Sequence, residues 1–85
     1  MDISRDEQRV LHALAQGGRI AAIKDERGRI LDFEFYNRDG WLMSGLTQRI
    51  FHKLKAKKAI RSQGGQPYRI TKRGLELVRS EFDNR

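Results

Sequence analysis

The 85-residue chain has no cysteine. That excludes a disulfide framework, a thiolate metal site and a cysteine nucleophile, and it fits a reducing compartment. It has only two histidines, His12 and His52, which fall on different predicted helices and offer no metal-ligand spacing. No glycine-rich phosphate loop follows a predicted strand. Asp32 and Glu34 share a strand face, but such a pair is ordinarily a solvated face rather than an acid–base couple. The expectation is a protein that is not an enzyme and needs no cofactor and no metal. No apolar run approaches the roughly 20 residues of a membrane span. The opening MDISRDEQR is acidic and amphipathic, unlike a signal peptide. A cytoplasmic location is expected.

A further absence is more informative. No acidic residue occurs between Asp39 and Glu76, while that window holds nine basic ones. Residues 1–43 carry 7 Lys/Arg against 8 Asp/Glu, and residues 44–85 carry 11 against 3. The net charge of +7 is therefore concentrated in the second half. A field of one sign attracts polyanions. The plain alternative is a solvated face on a basic protein.

What is present reads as one small domain over residues 1–85. A chain this short buries only about 60–65 % of its unfolded surface. Ser4 and Glu7 have the spacing of a capping box. Ile3, Val10, Leu11 and Leu14 then form a helical stripe, and Gly17-Gly18 supply the exit, which predicts a helix over 5–16. His12 lies opposite the stripe and is expected to be exposed. Residues 19–24 and 29–36 read as a hairpin around a turn at 25–28. Its alternation sends Leu31, Phe33 and Phe35 inward and Ile30 and Tyr36 outward. NRDG at 37–40 is a second turn. Ser44 is the candidate cap of a second helix over 45–57, with Leu46, Ile50, Phe51 and Leu54 on its apolar face. Residues 59–62 and 67–70 form a short hairpin around QGGQ, with Ile60, Tyr68 and Ile70 inward and Arg61 and Arg69 outward. Thr71 caps a last helix over 72–82, with Leu75, Val78 and Phe82 on its buried side. Trp41 is expected to cover the core where the second helix begins. The alternative is an exposed patch with Tyr36 and Ile30, such as marks a homodimer interface.

The order helix, hairpin, helix, hairpin, helix predicts an α+β, winged-helix-like domain with three helices and two β-hairpins. In such modules a helix can enter the DNA major groove while the adjacent hairpin touches the backbone. Gln48, Arg49 and His52 are the candidates to reach base edges. Lys53, Lys55, Lys57, Lys58, Arg61, Arg69, Lys72 and Arg73 are the candidates for phosphates or an acidic partner. Duplex DNA is thus one expected partner. The usual helix ahead of a recognition helix is missing. Its place is held by NRDGWLMS at 37–44, so either residues 41–44 make a stub or the hairpin at 19–36 substitutes.

SRDEQRVLHALAQGGRI at the start, FHKLKAKKAIRSQGGQPYRIT in the middle and GLELVR with a terminal DNR resemble the YjhX family of small bacterial proteins. The resemblance spans nearly the whole chain, and GQPYRIT with the lysine-rich helix end is its most distinctive part. It implies a toxin that inhibits bacterial DNA topoisomerase I and is held in check by a separate antitoxin. It assigns no role to any individual residue.

Overall fold

The computed structural model describes residues 3–83, with side-chain surroundings through Arg79. The expected burial of Phe82 lies outside the described side chains. The elements follow in the order α1 (Arg5–Ala15), β1 (Arg19–Lys24), β2 (Ile30–Tyr36), β3 (Leu42–Met43), α2 (Gln48–Ala56), β4 (Ile60–Arg61), β5 (Arg69–Ile70) and α3 (Lys72–Asp83). They make three helices and two small antiparallel sheets, β1-β2-β3 and β4-β5.

Local chemistry explains the helix ends. The Ser4 hydroxyl accepts from the Glu7 amide at 3.1 Å, and the Glu7 carboxylate accepts from the Ser4 amide at 2.9 Å. This completes the capping box of α1. α2 starts later than the sequence implies. Gly45 has φ +99°, outside the helical region, so Ser44 cannot cap a continuous helix. Thr47 caps instead, its hydroxyl accepting from the Ile50 amide at 3.1 Å. α2 closes in a Schellman motif, with Ala59 N–H donating to Leu54 C=O and Lys58 N–H to Lys55 C=O. The left-handed position is held by Lys58, φ +59°. Thr71 caps α3 as expected, accepting from the Gly74 amide at 3.0 Å while its hydroxyl donates to Lys58 C=O at 2.7 Å.

The β1–β2 hairpin departs from simple alternation. Lys24 pairs with Ile30 but Ile23 pairs with Asp32, so Leu31 is an extra residue in the ladder. A bulge of this kind inverts the alternation on one side of it. Ile30 therefore packs against the core and Leu31 is exposed, the reverse of the sequence expectation, while Phe33 and Phe35 stay inward. The two turns of this sheet are built alike. The Asp25 carboxylate accepts from the amides of Arg27 and Arg29, and the Asn37 side-chain carbonyl accepts from those of Asp39 and Trp41. Gly28 and Gly40 stand at equivalent places with φ +84° and +89°.

No helical stub forms at 41–44. Leu42 and Met43 pair with Tyr36 and Phe35, adding a third strand to the hairpin. The second sheet is tied to the first by a bridge between Ile20 and Tyr68, whose backbone groups exchange hydrogen bonds of 3.0 and 2.7 Å. Phe51 of α2 fills the space between the sheets. Its ring stacks on Phe33 at 4.0 Å and meets Tyr68 edge-on at 5.0 Å. Val10, Leu11, Leu14, Ile20, Leu54 and Ile60 join the same buried cluster. Among the described side chains of α3 the inward ones are Gly74, Leu77 and Val78, and Leu75 is half-exposed. Gly74 sets that face, because its bare Cα lies against Ala59 C=O and Ile70 and any Cβ there would clash with both. Trp41 does not cover the core; it is 72 % exposed.

Candidate functional site

At 100° per residue, α2 buries the arc of Ile50, Phe51 and Leu54. The complementary arc presents Lys55, Gln48, His52, Arg49 and Lys53, all exposed. The Lys55 ammonium lies 5.9 Å from the Tyr68 ring centre, leaning toward the second sheet. Arg49 and Lys53 border a depression of about 430 Å³ shared with Asp6 and Ser4 of the α1 start. One carboxylate therefore stands beside this end of the basic arc.

Lys57 behaves differently from its neighbours. It lies at the edge of the buried arc, and its ammonium meets the Glu7 carboxylate at 2.7 Å. Glu7 is only 2 % exposed. Burial works to raise its carboxyl pKa, but the hydrogen bonds from Lys57 and from the Ser4 amide and hydroxyl outweigh that and hold it below its ordinary value. The charge of Lys57 is thus met from within the fold. The signal for this pair was in the sequence, since Glu7 continues the spacing of Val10, Leu11 and Leu14 on the buried stripe.

Arg61 and Arg69 are directly opposite across β4 and β5, and both are exposed. With Lys72 they border a groove of about 610 Å³ between the hairpin and the start of α3. Gln63, Gln66, Pro67, Ile70 and Thr71 complete its lining, and none of the lining residues is acidic. Gln63 and Gln66 were not expected from the sequence to contribute. Arg69 donates to Gly17 C=O at 3.3 Å, which orients its guanidinium. Arg73, one residue on, faces Glu76 at 3.7 Å. Lys58 is exposed at the corner between α2 and β4.

The expected site residues therefore fall into separate groups. Arg61, Arg69 and Lys72 share the groove. Gln48, Arg49, His52, Lys53 and Lys55 share the exposed arc of α2. Lys57 and Arg73 each face a carboxylate. Among the described residues, no group of three or more histidines, aspartates or glutamates is placed to hold a metal ion, and no helix is long and apolar enough to cross a membrane.

Over residues 1–85 the chain matches the model of a family described as "putative toxin of bacterial toxin-antitoxin pair", YjhX_toxin. The chain belongs to this family. It is 61 % identical over the full length of both chains to a UPF0386 protein of Agrobacterium fabrum. It is 60 % identical over 99 % of both chains to a UPF0386 protein of Hyphomonas neptunium, and 59 % identical over the full length of one from Rhizobium etli. No solved structure gives a significant match.

Proposed function

We propose that this chain is a non-catalytic toxin that acts by binding. Its basic helix-and-hairpin face inhibits bacterial DNA topoisomerase I, and an antitoxin protein neutralises it. The identity of the target comes from the family resemblance. The observation that carries the binding mode is the cationic surface of α2 and the β4–β5 groove, whose groove lining holds no acid. Such a surface can occupy an acidic face of the enzyme, compete with it for DNA, or hold the enzyme–DNA complex.

Relaxation of supercoiled plasmid by purified topoisomerase I, titrated with this protein, tests the reading. Inhibition is expected, and the double reversal Arg61→Glu with Arg69→Glu is expected to weaken it at least about tenfold, since like-charge juxtaposition costs several kcal/mol. Relaxation that is indifferent to the wild-type chain removes the topoisomerase reading.

A second reading is a DNA-binding regulator of the winged-helix kind. The Ile20–Tyr68 bridge supports it, because it ties the β4–β5 hairpin beside β1, where a wing would lie on this reading. On this reading the protein binds duplex DNA site-specifically and leaves topoisomerase I untouched in the same assay.

A further inference from the structure

The groove between the β4–β5 hairpin and the start of α3 has a charge arrangement that the fold does not require. Arg61 and Arg69 are paired directly across an antiparallel ladder, where like charges oppose each other unfavourably. Lys72 adds a third cation in the first turn of α3, where the helix dipole already favours negative charge. Among the described residues, the side chains of Arg61 and Lys72 have no ion pair or hydrogen bond that would offset this. The three converge on one concavity.

We infer that this groove binds the sugar-phosphate backbone of a nucleic acid, with one phosphodiester held between Arg61 and Arg69 and supported by Lys72. Guanidinium forks match phosphate oxygens through paired hydrogen bonds, and an anion seated there converts the repulsion into attraction. The Arg69 head is already oriented by Gly17 C=O. The size of the groove favours a nucleotide over an acidic side chain. At about 610 Å³ it lies within the roughly 300–1,000 Å³ range of small-molecule pockets and is much larger than one carboxylate needs. Its lining suits the rest of a nucleotide, with Pro67 and Ile70 as an apolar wall and the amides of Gln63 and Gln66 able to donate and accept. Gly64 and Gly65, both at positive φ, turn the hairpin tip with open space around their Cα atoms, so a strand can approach the backbone there.

This assignment rests on the reading that the basic face meets a polyanion, but not on topoisomerase I being the target. The test is fluorescence anisotropy of a labelled mixed-sequence oligonucleotide, single-stranded and duplex, titrated with the full chain across a series of salt concentrations. Wild type should bind with log K falling linearly in log salt. The double variant Arg61→Ala with Arg69→Ala should bind at least about tenfold more weakly, with the slope smaller in magnitude by about 0.9 on the duplex and about 0.7 on the single strand, the value for the one phosphate the pair holds. The single variants Arg61→Gln and Arg69→Gln should each weaken binding and reduce the slope by less than the double variant does, because the remaining guanidinium still meets that phosphate. Thermal melts of the variants, with midpoints at or above that of wild type, establish that they are folded.

A double variant with wild-type affinity and slope overturns the groove assignment and leaves the α2 arc as the basic contact. Weaker binding at an unchanged slope overturns it too, since no phosphate contact would have been lost. If wild type does not bind nucleic acid but still inhibits topoisomerase I, the groove assignment fails and the inhibitor reading stands. If it does neither, both fail.

Discussion

Glu7 serves this fold in two places. It closes the capping box of α1 and, at 2 % exposure, anchors Lys57 fifty positions away. Because the folded state holds its carboxyl below the ordinary value of 4.5, its contribution is fully present at neutral pH. It is lost as pH falls through 4.5 and then through the lower folded value, since the unfolded chain takes up the proton first. Acid titration of thermal stability should therefore show a decline in that window that Glu7→Gln reduces. At neutral pH the same variant should lose about 1–3 kcal/mol in urea unfolding, because Lys57 keeps its charge beside an amide. Lys58 makes the opposite case. It occupies a left-handed site that glycine fills without a Cβ penalty. Lys58→Gly should stabilise the protein by up to about 1 kcal/mol, and if Lys58 contacts phosphate it should also lower the salt slope of DNA binding by about 0.9.

Among the elements, those governed by neighbours in sequence were legible and those governed by distant pairing were not. The Ser4–Glu7 box and the Thr71 cap could be read directly, because each is closed within three residues. Ser44 was the expected cap of α2, and Thr47 takes that place because Gly45 stands at positive φ, a backbone choice that residue identity leaves open. Thr47→Ala should therefore cost about 1 kcal/mol and Ser44→Ala should stay within about 0.5 kcal/mol. The reversal of Ile30 and Leu31 depends on the register with β1, a property of two strands together. Leu31→Lys should leave urea stability nearly unchanged, whereas Ile30→Lys should destabilise by about 1–3 kcal/mol. Strand β3 was missed because it exists only through its pairing with Tyr36 and Phe35, which the local pattern of residues 41–44 does not announce. Leu75 was placed inward on helical spacing, but the close approach at Gly74 rotates the face toward Leu77.

For the molecule as a whole, the α+β class and the concentration of positive charge were visible in composition and order. The grouping of that charge was visible only in part. Arg61 and Arg69 were expected on the outward side of one hairpin and stand opposite each other there, whereas Lys57 turns inward to a buried carboxylate fifty residues earlier. One aromatic holds the two sheets together. Phe51 is fully buried between Phe33 and Tyr68, and Phe51→Ala should cost about 3–5 kcal/mol, enough to threaten the folded state of a domain this small. Chemical denaturation followed by far-ultraviolet circular dichroism would measure it.

The placement of Trp41 decides how such experiments can be read. It is the sole tryptophan, and it stands in solvent at the edge of the three-stranded sheet. An indole this exposed is expected to emit as a hydrated one in the native protein, so loss of the core should pass nearly unseen in fluorescence. The same residue is a built-in reporter for its own edge. A blue shift on mixing with another molecule will mean that the edge beside Leu42 and Met43 has been covered.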